Sequence, residues 1–335
     1  MKRHLCLLTL PALALVAVGL GGLSSMAQAD APLQAKGSWE TMAPLPEQRT
    51  EVSVTTDGRF IYLIGGFARV GERDTKAPRT LYAYDPETNT WSDKGNIPQG
   101  VNHAGVAYLA GRLYIIGGYR ENTFEPTAAV HSYHIATAEW SSGPNLPTAR
   151  GALAVAVLNG RIHAIGGALG RRGSSLATHE VYDAETATWS TLTPMPTARD
   201  HHAAAVMAGK IYVLAGRAGD DFRLTANEVY DPVNDSWEGA PPVPTGRSGV
   251  AAVTLDNWIY LFGGETFGDD RRTFDEAERF SPQRQQWEAM PPMPTARHGL
   301  GAAAVGPSIY VIAGGPQAGF AFSDVNERLT PGGSD

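Results

Sequence analysis

Tryptophan recurs six times at near-constant intervals, at Trp39, Trp91, Trp140, Trp189, Trp237 and Trp287. Each stands within one longer phrase, so the chain is an array of a repeating unit. The phrase is clearest from Pro147 to Trp189: Pro-x-x-Arg, a small apolar run, a Gly turn, an apolar pair, Gly-Gly, a polar loop, then Glu-x-Tyr-Asp and Trp. A period of about 50 residues marks architectures whose unit cannot bury its apolar face alone and must stack on its neighbours. The shared positions then describe a scaffold, and function has to be read where the repeats differ.

Within each unit the pattern is all β. Val52 to Thr56, Ile61 to Ile64 and Leu81 to Tyr84 are short apolar runs bounded by Gly, Pro, Asp or Asn, as strands should be. Asp57-Gly58 between the first two is a hairpin signal, and Ala110-Gly111, Asn159-Gly160 and Ala208-Gly209 hold the equivalent place. Four strands per unit follow, lettered a to d from the Pro-x-x-Arg end to the Trp. No helical period is found after residue 30, and no linker suggests a second domain.

The array is preceded by Lys2 and Arg3, an apolar run from Leu5 to Leu20, and small residues ending Ala27-Gln28-Ala29. This predicts a signal peptide over residues 1–29, then a short segment 30–37, the repeat domain 38–330 and a flexible tail 331–335. The expected location is periplasmic or secreted, with no membrane span. Cys6 is the single cysteine and lies in the leader, so the mature chain is expected to hold no disulfide and no thiol nucleophile. Loss of Lys2 and Arg3 takes the net charge from −7 to −9, which argues against a nucleic-acid partner.

The repeats resemble the kelch family from Trp39 to Leu329. Diglycines stand at Gly65-Gly66, Gly117-Gly118, Gly166-Gly167, Gly263-Gly264 and Gly314-Gly315, with Ala215-Gly216 as the variant. Aromatic pairs at the family's spacing are Tyr84/Trp91, Tyr133/Trp140, Tyr182/Trp189, Tyr230/Trp237 and Phe280/Trp287. The resemblance implies an all-β, six-bladed kelch β-propeller with four antiparallel strands per blade. The first unit lacks strands a to c and the last lacks a Trp, so the strand around Trp39 is expected to pair near Leu329 and close the ring.

Arginine recurs at Arg49, Arg150, Arg199, Arg247 and Arg297, with Val101 in the remaining repeat. Such groups can clamp an anion at the channel mouth or tie backbone carbonyls of adjacent blades, and the second reading is favoured. In kelch adaptors the ligand contacts resemble those expected one or two residues after this Arg and just after the diglycine. The first set is Thr50, Glu51, Asn102, His103, Gly151, Asp200, His201, Ser248 and His298; the second is Phe67, Tyr119, Ala168, Arg217, Glu265 and Pro316. The strand b to c loops that follow carry Arg69, Arg73, Arg120, Arg171, Arg172, Arg217, Arg271 and Arg272 on an otherwise acidic protein, which favours an anionic ligand.

Function is therefore expected to be binding of a glycan or a protein segment at this face, by a monomer that uses no cofactor. Galactose-oxidase chemistry is excluded by the missing cysteine. An iron site like that of plant specifier proteins is incomplete, since Glu265 and Asp269 are followed by Thr273 where His would stand. The alternative is a carbohydrate isomerase resembling the periplasmic sialic-acid mutarotases, with Glu265, His201 and His298 as acid or base candidates and Arg217 as the carboxylate clamp. Adjacent His201 and His202 point to opposite faces of a strand and no carboxylate is spaced as a third ligand, so no metal site is expected.

Overall fold

The structure is a computed structural model that describes residues 1, 36–71, 74–171 and 174–332. The expected leader, residues 1–29, lies outside the described residues apart from Met1, as do Arg73, Arg172 and residues 333–335. Residue 331, placed in the tail by the sequence reading, is the last residue of the final strand, Asn326–Pro331.

The described residues form strands and turns without a helix. They build six four-stranded antiparallel sheets, or blades. Blade 1 comprises Ser53–Thr56, Ile61–Ile64, Thr80–Asp85 and Thr90–Asn96. Blades 2 to 5 repeat that order, with innermost strands Gly105–Leu109, Ala154–Leu158, Ala203–Met207 and Ala251–Leu255. Blade 6 takes Gly301–Val305, Ser308–Ile312 and Asn326–Pro331 from the end of the chain and its fourth strand, Gly37–Thr41, from the beginning. Trp39 lies opposite Leu329 in that last pairing, as the unmatched first tryptophan predicts. The innermost strands neighbour one another in a closed circuit, and the whole is consistent with a kelch propeller.

The core lies between blades. Each of six clusters of buried apolar residues combines two neighbouring sheets: one unites Ala107, Tyr114 and Ile116 of blade 2 with Ile162, Ala164 and Tyr182 of blade 3. In blades 1 to 5 the Trp of strand d packs on the aromatic of strand c directly across the ladder, with centroids 4.9 Å apart for Tyr84 and Trp91 and 5.1 Å for Tyr182 and Trp189. Such a pair adds about 0.5–1.5 kcal/mol beyond its burial. The indole N–H then donates to the previous blade's connection: Trp39 to the Pro291 carbonyl, Trp91 to Ala43, Trp189 to Pro144, Trp237 to Thr193 and Trp287 to Pro241.

The arginine series also serves the scaffold. All five guanidiniums are fully buried. Arg150, Arg199, Arg247 and Arg297 meet Glu180, Glu228, Glu278 and Glu327, one on each strand c, at 2.5 to 3.0 Å. They also donate to carbonyls at the end of strand b, as Arg150 does to Gly166 at 2.7 Å. Two repeats depart together. Where Val101 replaces the Arg, His131 replaces the Glu at the matching register. Where Tyr82 replaces the Glu, Arg49 lies over its ring at 5.0 Å and finds its carboxylate in Glu47 instead.

Asp57-Gly58 joins its two strands as a hairpin, with a longer loop than the tightest kind: Thr56 pairs with Ile61, and Asp57 Oδ1 accepts from the N–H groups of Arg59 and Phe60 to cap a four-residue loop. At Ala110-Gly111, by contrast, both residues have the positive φ of a tight turn, 49° and 78°. In blade 6 the left-handed pair is Ala313-Gly314, with φ of 58° and 96°, and not Gly314-Gly315. It matches Ala215-Gly216, so alanine takes the first position twice, and the residue after the pair is Gly315 where Pro316 was expected. The second position is where glycine is needed: a Cβ on Gly66 would sit 2.4 Å from the Thr50 carbonyl oxygen.

Candidate functional site

The two sequence-derived residue sets are partners in register. Thr50 pairs with Phe67, Asn102 with Tyr119, Gly151 with Ala168, Asp200 with Arg217, Ser248 with Glu265 and His298 with Gly315. Each blade thus presents a short two-stranded platform at one end of the channel.

The next residue of each repeat, Glu51, His103, Ala152, His201, Gly249 and Gly299, has φ between 51° and 67°. The left-handed turn aims these residues inward and lets them join across blades. His103 N donates to Glu51 O, Ala152 N to His103 O, His201 N to Ala152 O, Gly249 N to His201 O and Gly299 N to Gly249 O, at 2.8 to 3.3 Å. Val52 N completes the ring on Gly299 O. Four of the six are not glycine, and such a backbone costs about 1 kcal/mol or more per residue, which the ring of hydrogen bonds holds in place.

Above this ring lies a cavity of about 300 Å³, lined by Thr50, Glu51, Phe67, His103, His201, Arg217 and Glu265 from the expected set and by Phe124, Arg171, Phe267, Arg271, Gly319 and Phe320. A second groove of about 570 Å³ shares Arg171, Arg217 and Phe267 with it. Below the ring, the channel is walled by Val54, Val106, Val155, Val206, Val253 and Ala302 of the innermost strands. Polar chemistry is therefore gathered at the mouth.

Aromatic and cationic groups alternate around the cavity. Phe67, Phe124 and Phe320 form a cluster with centroids 5.5 to 6.4 Å apart, and Arg171 lies over Phe124 and Phe320 at 5.5 and 5.9 Å. Across the mouth Phe222 meets Phe267 at 4.9 Å, with Arg217 over the first ring and Arg271 over the second. Phe320 is half exposed. Among the described residues the other rim arginines are engaged elsewhere: Arg69 lies over Phe322, Arg120 pairs with Glu125 and Arg272 with Glu276.

At the floor three imidazoles and two carboxylates converge. His103 Nε2 lies 3.2 Å from Glu51 Oε2, and His298 Nε2 lies 3.6 Å from Glu51 Oε1 and 3.4 Å from Glu265 Oε2. The His103 and His201 rings are edge to face at 4.8 Å. Burial pushes His103 well below the ordinary histidine value, reinforced by the charges of His201 and Arg217. Burial also lowers His298, against the pull of Glu51. It raises the Glu265 carboxyl, although the Gly319 N–H donates to that group at 2.7 Å. Asp200 goes the other way: burial would raise it, but His201, Arg217 and Ser175 hold it well below the usual carboxylate range. Its Oδ1 accepts from His201 Nδ1 at 2.5 Å and from Arg217 Nε at 2.8 Å.

Five expected contact residues do not line the mouth cavity: Asn102, Tyr119, Asp200, Ser248 and His298, the last buried with Nδ1 3.0 Å from the Gly315 carbonyl oxygen. Asn102 is fully buried, with Oδ1 2.6 Å from His103 Nδ1. Asp200 orients His201 and Arg217. Tyr119 packs its ring against Gly151 and donates to the Ala168 carbonyl at 3.3 Å. Ser248 is fully buried over the Glu265 carbonyl and lines no part of the mouth cavity. Phe124, Phe222, Phe267 and Phe320 fall outside both sequence-derived sets. Their signal is present in the sequence, since five of the six b to c loops carry a phenylalanine at varying offsets from the diglycine.

The KLHDC2/KLHL20/DRC7 Kelch-repeats domain matches residues 34–195 and 170–315. Kelch-like protein 28 of Homo sapiens is 35% identical over 85 residues, which is 24% of this chain and 15% of that protein. Kelch repeat and BTB domain-containing protein 12 of Danio rerio is 30% identical over 86 residues, 24% of this chain and 14% of that protein. Kelch-like protein 9 of Mus musculus is 26% identical over 80 residues, 24% of this chain and 13% of that protein. The matched part thus spans about one seventh of these curated relatives. With the domain match covering most of its length, the chain belongs to the kelch-repeat domain family.

Proposed function

We propose that this chain is a six-bladed kelch propeller, exported on its apolar leader, that binds an anionic glycan or protein segment at the channel mouth. The observation that carries the reading is the pairing of arginines with phenylalanines around one open cavity. Arg171, Arg217 and Arg271 offer charge to a carboxylate, and the rings beneath them offer an apolar face. The adjoining groove shares Arg171 and Arg217, which suits an extended ligand better than a single small molecule.

The test is capture on a glycan and peptide array containing acidic and amidated versions of each ligand. Acidic members bind, and both Arg217→Ala and Phe320→Ala weaken capture at least about tenfold, as loss of a charge-assisted or stacking contact should. Unchanged capture by both variants would place the site elsewhere.

A second reading rests on the contact of Glu265 with His298: a carboxyl raised by burial beside a neutral imidazole is a donor and acceptor pair suited to anomer exchange. Adding the protein to freshly dissolved sialic acid and following the anomers by NMR checks it. A rate equal to buffer rejects the isomerase.

A further inference from the structure

The histidines at the mouth are oriented by partners behind them, and that orientation decides which ring nitrogens are free to accept. The Asn102 Nδ2 group donates to the carbonyls of Glu121 and Thr123 at 2.9 and 3.2 Å, which fixes the amide and turns Oδ1 toward His103 Nδ1. His103 Nδ1 is therefore the donor, and its Nε2 carries a lone pair. His201 has the same arrangement, with Nδ1 on the Asp200 carboxylate. His103 Nε2 then faces Glu51 Oε2 at 3.2 Å, acceptor against acceptor, in a buried setting. Two acceptors at that separation repel unless a cation lies between them.

We propose that His103, His201 and Glu51 bind a divalent transition-metal ion of the zinc or cobalt type at the base of the mouth cavity. One ligand atom from each of the three lies within 4.8 Å of the others. Ligands held at about 2.0–2.2 Å from zinc stand roughly 3–4 Å apart, so small side-chain movements close the site. The ligand set is two imidazoles and a carboxylate, which suits first-row divalent ions. Asn102 and Asp200 supply the outer hydrogen bonds that metal-binding histidines almost always make through their second nitrogen. The ligands come from three repeats, and the ring of interblade hydrogen bonds fixes their backbones. All three line the cavity, so an ion has a path from solvent.

Arg217 opposes the ion. Its Nη2 lies 3.3 Å from His201 Nε2 and has to turn away as metal enters, keeping its bond to Asp200. This gives the site a signature that a purely structural cluster lacks: neutralising Arg217 strengthens metal binding while it weakens the anion capture described above. Failure of the two proposals is thereby distinguishable.

The experiment is titration of chelator-treated full-length protein with cobalt(II) alone, read by visible absorption and by calorimetry. The expected result is one ion per chain, at least about 100-fold weaker binding in His103→Ala/His201→Ala, roughly tenfold weaker binding in Asn102→Leu, and tighter binding in Arg217→Gln. If the double variant fails to fold, Glu51→Gln, nearly identical in shape, tests the same ligand set through its own loss of binding. No saturable cobalt binding by the folded wild-type protein overturns the proposal. Binding that persists unchanged in Glu51→Gln overturns it as well.

Discussion

Val101 and His131 together show how the scaffold tolerates loss of its buried ion pairs. Removing one member of a buried pair leaves an uncompensated charge and costs about 3–5 kcal/mol, whereas replacing both with neutral residues is far cheaper. Repeat two has taken the double route. Arg150→Val alone strands Glu180, which otherwise receives Arg150 Nη1 at 2.5 Å and the Thr148 hydroxyl at 2.7 Å. The single change should destabilise by about 3 kcal/mol, and adding Glu180→His should recover at least half of that in urea unfolding. An additive loss in the double variant would contradict the account. Five arginines in register are visible in the sequence, but the role of four of them is set by glutamates about 30 residues away on another strand.

Neighbouring strands of blade 3 carry a second buried polar pair. His163 on Arg161–Ile165 and His179 on His179–Asp183 share a contact between Nδ1 and Nε2 at 2.9 Å. Tyr230 and Trp237 of the next blade cover His179, and Arg161, Arg150 and Asp235 are the charges that act on the pair. Burial, aided by Arg161, lowers His163 to about 4; burial, aided by His163, lowers His179 to about 3. A lowered folded value means that the unfolded chain takes up protons first. The stability from these neutral rings is complete above the ordinary histidine value of about 6.5 and is lost as pH falls from there toward about 4. Between pH 7 and pH 5 each ring should contribute a loss of about 2 kcal/mol, and His163→Phe/His179→Phe should flatten that part of the curve. An equal slope in wild type and variant would show that the loss arises elsewhere.

The strands themselves are largely readable from sequence, because period-two apolar runs between Gly and Asp turns leave little choice. Two turns are not. Asp57 caps a longer loop with its side chain, and Ala313 accepts a left-handed backbone that glycine usually supplies. Composition cannot distinguish these cases, since the deciding contacts lie in backbone geometry.

For the whole molecule, the repeat period predicts that strand Gly37–Thr41 completes blade 6, as it does. The site is only half legible. Residues at fixed offsets from the arginine and the diglycine can be located, since every repeat delivers them to one end of the channel. The phenylalanine wall escapes such counting because its members sit at irregular loop positions. The convergence of Glu51, His103 and His201 escapes it because it joins repeats about 50 and about 100 residues apart through the ring of left-handed residues.

Hydrogen exchange on the protein with and without a captured acidic ligand tests whether the channel mouth is the binding face. The expected result is slowed exchange in the mouth segments that contain Arg217, Phe267 and Gly319, with the turns at Ala110-Gly111, Asn159-Gly160 and Ala208-Gly209 unchanged. Protection confined to those turns, with the mouth segments unaltered, would contradict it.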